Sequence, residues 1–289
     1  MPPSLTRPTL PALPPPLRRL LERAIDAESM ELPVLPDTAM HVMQACNDES
    51  ADAGRLSDIL GRDQSLASHV LRIANSAAYA PKEPIVSLRQ AVSRLGVASI
   101  GEIAISIAVK GRVFQVPGHQ LAVRELWMHS AAAGIYAKEI ARQVQGDQES
   151  AFLCGLLHDV GKPMVLLKLI DEVRARTDQP IPSLVFEAAL AEFHAEVGAV
   201  MARRWGLPEW IVQAILHHHD YRQATEFAGK VMITSLADEL CHWALDEDAG
   251  PASFPAELPV IQDLDLTDRD IAALLDRRGR VLAVVEAFA

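Results

Sequence analysis

Residues 151–163, AFLCGLLHDVGKP, decide how this chain is read: an apolar helical run ends in His158 and Asp159 and then breaks at Gly161, Lys162 and Pro163. Burying the run leaves an imidazole and a carboxylate at the inner end of a helix. An ionised carboxylate taken out of water without a partner is costly. Asp159 therefore faces either a basic neighbour or a metal ion, and His158 is either a hydrogen-bonded core histidine or a ligand. The dipeptide alone leaves both readings open.

Outward from this segment the chain keeps the helical period. The first sixteen residues are proline-rich and predict an arm without a core of its own, leading into a first helix within 1–30. Residues 31–114 predict a helical lobe. Its apolar faces gather Ala39, Met40, Val42, Met43 and Cys46, then Leu56, Ile59 and Leu60, then Leu66, Val70, Leu71 and Ile73 beyond Gly61. Leu88, Ala91, Val92 and Leu95 precede a glycine stop, and an apolar helix follows to about Lys110 or Gly111. The stretch QVPGHQ, 115–120, marks a boundary. A second lobe, 121–245, predicts helices near 121–144, 149–159, 183–204, 208–217 and 226–245. In the closing segment, 255–289, Thr267 is placed as an N-cap with Asp270 three residues on. There is no alternating strand pattern and no internal repeat, so the fold class is all-α, a two-lobed helical bundle.

Composition narrows the function. The 289 residues are 49% hydrophobic, enough for a full core, and 27 basic against 38 acidic residues leave a net charge of −11. That charge, without a basic cluster, repels a phosphate backbone and excludes generic nucleic-acid binding. No apolar run is long enough to cross a membrane, and the proline-interrupted N-terminus lacks a signal-peptide core, so a cytoplasmic location is expected. Cys46, Cys154 and Cys241 are widely spaced in apolar contexts, which predicts buried thiols and no disulfide framework.

Further polar residues lie on apolar helices: His129 in LWMHSAAAGIYAKEIA, His194 in FEAALAEFHAEVGAVMARRWGLP, and Asp238 in VMITSLADELCHWA. Near them in order stands QAILHHHDYR, 213–222, with three consecutive histidines. Each has an ordinary explanation singly, as a satisfied core residue or a solvated helix end. One polar ligand on each of several apolar helices is also what a metal site in a bundle requires, because the ligands converge only when helices pack.

The order His129, His158–Asp159, Asp238 resembles the histidine, histidine-aspartate, aspartate pattern of the HD superfamily of metal-dependent phosphohydrolases. More closely, the span from about Leu32 to Trp243 resembles an HDOD domain. The segments that carry the likeness are LPVLPDTAMHVM, ILGRDQSLASHVLRIANSAAYA, SLRQAVSRLG, LWMHS, AFLCGLLHDVGK, FHAEVGAVMARRWGLPEWIVQAILHHHD and SLADEL. The resemblance implies a first metal set of His129, His158, Asp159 and Asp238. His194, His218 and His219 match the histidines that HD-GYP phosphodiesterases use for a second metal, and His217 falls outside. Lys162 matches a lysine that contacts substrate phosphate, so the catalytic residues implied are Asp159 and Lys162. The implied cofactor is one or two divalent transition-metal ions; five imidazoles and two carboxylates suit iron, manganese, zinc or nickel.

The sequence also departs from those phosphodiesterases: YRQATEF follows Asp220 in place of the GYP segment, and PMVLLK follows Lys162 in place of the loop that supports cyclic dinucleotides. The resemblance to HDOD domains, bacterial signalling-output relatives of those hydrolases, then implies a cytoplasmic signalling-output protein acting through protein partners, with a metal in an HD-type site. The alternative is a metal-dependent phosphohydrolase acting on a nucleotide or other phosphoester.

Overall fold

The computed structural model describes residues 12–25, 31–46, 52–176 and 181–288. The proline-rich stretch before residue 12 and the Cys46 thiol lie outside the described residues. Every regular element described is helical, as expected, and the chain divides into two compact units: Met1–Leu32 with Val116–Asp276, and Pro33–Gln115 with Arg277–Ala289. The closing segment is thus divided, Asp276 and its predecessors grouping with one unit and Arg277 onward with the other.

The smaller unit contains α2 (Asp37–Cys46), α3 (Ala53–Gly61), α4 (Gln64–Ala74), α5 (Leu88–Leu95), α6 (Val97–Val113) and, from the far end of the chain, α15 (Arg278–Phe288). Side-chain caps set its short helices: Asp52 accepts from the Arg55 N–H, Asp63 from Leu66 and Ser87 from Gln90. Gly96, at φ 87°, turns the chain between α5 and α6 in a conformation that favours glycine. Leu56, Leu60, Val70, Ile73, Val92, Ile100 and Ile103 fill the core. Asn75 clamps the α4–α5 connection by bonding both the N–H and the carbonyl of Ile85. Lys110 donates to the Phe288 carbonyl at 2.7 Å, a cation satisfying the end of α15.

The larger unit is built on α7 (Gln120–Gln143), whose 24 residues extend about 36 Å. Against it pack α8 (Gln148–Leu157) and α12 (Ala228–Leu245). Small residues make the α7–α8 approach close: a Cβ on Gly155 would lie 2.4 Å from the Ala133 carbonyl oxygen. Around this core stand α1 (Pro15–Ala24), α9 (Lys162–Arg174), α10 (Ser183–Arg204), α11 (Glu209–His217), α13 (Pro259–Asp263) and α14 (Asp268–Asp276). Thr267 and Asp270 form the expected reciprocal cap at the start of α14, the Asp270 N–H donating to the Thr267 hydroxyl and the Thr267 N–H to the Asp270 carboxylate.

In the second lobe one element departs from the sequence reading, which places a break at Gly161–Pro163 and no helix between 159 and 183. The break is the start of α9. Proline lacks an N–H, but the first helical turn leaves its N–H groups unbonded anyway, so Pro163 opens the helix and does not prevent it.

Candidate metal centre

The larger unit brings His129, His158, Asp159, Lys162, His194, His218, His219 and Asp238 together, and His217 stays outside the cluster. His129, His158, Asp159, His194, His218 and Asp238 are buried, and His219 is partly exposed. His129 comes from the middle of α7, His194 from α10 and Asp238 from α12. His158 and His218 occupy the same position on two different helices, the residue that caps the C-terminus of α8 and of α11.

That shared position has a physical consequence. The last turn of a helix leaves carbonyls without intrahelical donors. His158 Nδ1–H donates to the Gly155 carbonyl at 2.7 Å and His218 Nδ1–H to Ile215 at 2.8 Å, satisfying those carbonyls. On α10, His194 Nδ1–H donates to Leu190 at 2.6 Å. A carbonyl only accepts, so Nδ1 carries a proton in all three rings and Nε2 is the nitrogen turned inward, with a lone pair wherever the ring is neutral. Backbone-fixed tautomers of this kind orient metal-ligating histidines. Two helix C-termini, each with partial negative charge, also meet here, the His158 and His218 rings lying 4.9 Å apart.

Asp159 stands between two sets of imidazoles. Its Oδ2 is 3.3 Å from both His129 Nε2 and His158 Nε2, while Oδ1 is 3.4 Å from His194 Nε2 and 3.7 Å from His218 Nε2. On the first side His129 Nε2 lies 3.2 Å from His158 Nε2 and 3.0 Å from Asp238 Oδ1. On the second, His194 Nε2 lies 3.3 Å from His218 Nε2 and 3.2 Å from His219 Nε2. Donor atoms held about 2.1 Å from one ion stand roughly 3.0–3.4 Å from each other in octahedral or tetrahedral shells. Most donor–donor spacings on both sides fall in that range, while His218 Nε2–Asp159 Oδ1 at 3.7 Å and His158 Nε2–Asp238 Oδ1 at 3.6 Å lie a few tenths of an ångström beyond it. Both Asp159 oxygens are buried and accept no hydrogen bond of ordinary geometry, as a carboxylate poised for cations does.

The electrostatics are those of a cation site compensated by protons. Burial works to raise the Asp159 pKa, but His158 and Lys162 beside it hold it well below the usual carboxylate range. Asp238 is held low in the same way, burial being outweighed by His129 and His158. Burial lowers the basicity of His158, yet the two carboxylates reverse this and lift it to about 10. Burial wins for His194, at about 4, and His218, at about 3, and it lowers His129 as well. Without an ion, then, a His158 imidazolium balances the carboxylates. Lys162 forms an ion pair with Asp159 Oδ2, and the two carboxylates keep its ammonium charged despite burial.

Two neighbours on α12 were not legible in the sequence. The Cys241 thiol, whose pKa burial raises well above its usual value, lies 3.1 Å from the Asp238 carbonyl as donor and 3.2 Å from His129 Nδ1. It also lies 3.5 Å from His129 Nε2, so it touches the ring near both nitrogens and does not select Nδ1 as the carbonyls do for the other rings. His242 Nε2 lies 3.4 Å from Asp238 Oδ1. Only the helical spacing from Asp238 could have signalled them. Groups able to hold a metal among the described residues are His129, His158 and Asp159; His194, His218 and His219; and His129, Asp238 and His242.

A family model for the HDOD domain matches residues 32–221. An uncharacterized protein of Treponema pallidum (strain Nichols) is 28% identical over 218 residues, 72% of this chain and 41% of that protein. The chain thus spans about two fifths of that relative's length. A solved HDOD domain protein of unknown function from Geobacter sulfurreducens is 28% identical with a TM-score of 0.73, covering 94% of this chain and 98% of that one. A protein of Shewanella amazonensis SB2B that carries a phosphohydrolase name is 23% identical with a TM-score of 0.67, covering 93% and 98%; at that identity the likeness is one of fold. With the family match extending over more than half its length, the chain belongs to the HDOD domain family.

Proposed function

We propose that this chain is a signalling-output protein whose 121–245 lobe holds two divalent transition-metal ions across Asp159. The observation that carries the reading is the two-sided carboxylate, Oδ2 facing His129 and His158 and Oδ1 facing His194 and His218. His129, His158 and Asp238 hold the first ion with Asp159, and His194, His218 and His219 hold the second with it. The imidazole-rich donors suit iron, manganese, zinc or nickel better than magnesium or calcium. In this role the metal contributes folding free energy to the bundle and output passes through protein contacts, with the 31–114 lobe as the docking region.

A second reading, hydrolysis of a nucleotide or other phosphoester, is favoured by Lys162. Its ammonium sits beside Asp159 and is still partly exposed, where it would meet the negative charge of a phosphoryl group. Bound ions would supply Lewis acidity and an activated water. Asp159 holds the ions and Lys162 orients the phosphate. The segment after Asp220 does not offer a GYP-type loop: Tyr221 and Arg222 are both bonded to Asp263 of α13.

Elemental analysis of protein purified without chelators tests the metal. Two equivalents are expected, lost together in Asp159→Asn; less than about one tenth of an ion per chain overturns the reading, because the site's chemistry depends on its metal. Turnover of a generic phosphodiester that disappears in Lys162→Ala, with metal content unchanged, supports hydrolysis. A fully loaded protein without turnover rejects it and leaves the signalling role.

A further inference from the structure

We infer that His242 is a further ligand of the first metal ion, bound from the solvent side. The inference rests on the metal reading above and adds a residue that the HD pattern does not contain. His242 follows Asp238 by four residues on α12, so both side chains share one helix face, the spacing by which a helix chelates an ion. Its Nε2 is 3.4 Å from Asp238 Oδ1, the oxygen that also faces His129 Nε2 at 3.0 Å. The His242 and His129 rings are 4.5 Å apart. Three donor atoms, from His129, Asp238 and His242, therefore lie within 4.8 Å of one another. At 3.4 Å the His242–Asp238 separation exceeds the roughly 2.7–3.2 Å of a good N–H···O hydrogen bond but matches two ligands around one ion.

The consequence is an asymmetric pair. With His242 the first side offers five donors in two groups that share His129: His129, His158 and Asp159, and His129, Asp238 and His242. The second has His194, His218, His219 and Asp159. The His242 side chain is 49% exposed, so ligation from there covers the outward face of the first ion. The second set would have four donors, one of which, His219, is 37% exposed and also lies 3.7 Å from Asp238 Oδ2 through its Nδ1.

Cobalt(II) titration of the full chain, stripped with chelator and followed by visible absorption and calorimetry, tests this. The parent should take up two equivalents. His242→Ala and His242→Gln should weaken one of them by at least about tenfold, the lower end of what losing even an outer partner of a ligand costs, and change that ion's absorption band. Added imidazole should restore both affinity and band in His242→Ala, which a merely structural loss would not allow. Two equivalents bound with unaltered affinity and spectrum in both variants would overturn the role of His242 while leaving the metal centre standing. Failure of the parent to bind cobalt would instead overturn the metal reading on which this one rests.

Discussion

Replacing Gly161 by alanine tests how the HD turn is pressed against α10. A Cβ at Gly161 would sit 2.1 Å from the His194 carbonyl oxygen and 2.6 Å from the Gly198 nitrogen. Both are backbone atoms of α10, so no flexible side chain can swing aside, and the turn must retreat by about 1 Å to reach ordinary contact. The Gly161 backbone, at φ −76°, is one that alanine adopts freely, so steric overlap is the only cost. Overpacking of this kind costs about 1–3 kcal/mol, and the rigid backbone contact puts Gly161→Ala at the upper end. The same retreat carries Asp159 away from His194, whereas binding sites tolerate only about 0.5 Å of misplacement, so the second ion should be lost before the first. Gly111→Ala is the control: it lies in α6, nothing is within 4 Å of its Cβ, and alanine there should stabilise by about 0.5–1 kcal/mol. Urea unfolding of the metal-free proteins measures both, and metal analysis measures the second effect. A Gly161→Ala protein within about 0.5 kcal/mol of the parent and carrying full metal would refute the packing argument.

Chelated protein should show stability contributions that decline on both sides of pH 6.5. His158, raised to about 10, stabilises the fold below its unfolded value of 6.5, and that contribution is lost as pH rises toward 10; His194 and His218, lowered to about 4 and 3, lose theirs as pH falls through those values. Thermal melts of His158→Gln that keep the parent's alkaline decline would count against the His158 part. Metal uptake at pH 8 should release one proton from His158, measurable as a buffer-dependent heat in calorimetry. Cys241→Ala should weaken the first ion about 10-fold by removing the sulfur packed against the His129 ring, detectable by chelator competition, with the second ion's affinity unchanged. Thr267→Ala should cost about 1 kcal/mol through the α14 cap and leave metal content at the parent's level.

The sequence by itself determined the all-α class, the approximate limits of five helices of the second lobe and, through the family resemblance, the residues that face one another in the candidate centre. Those features are local or periodic: apolar residues repeating on one face, Thr267 as a cap, and polar residues on otherwise apolar helices. Pro163 misled because a proline reads as a stop from either direction, and only its place in the first turn makes it a start. What the sequence could not provide were relations between distant backbones. Gly155 and Gly161 look like ordinary helix breakers until α7 and α10 are seen to occupy the space a Cβ would need. The three adjacent histidines could not be told apart by composition; the end of α11 turns His218 inward, leaves His219 at the edge and excludes His217. His242 and Cys241 gained a role only when α12 packed against α7 and set their atoms beside His129. A ligand shell is defined by separations of a few ångströms between residues far apart in the chain, as His129 and Asp238 are, and that distance is set by packing.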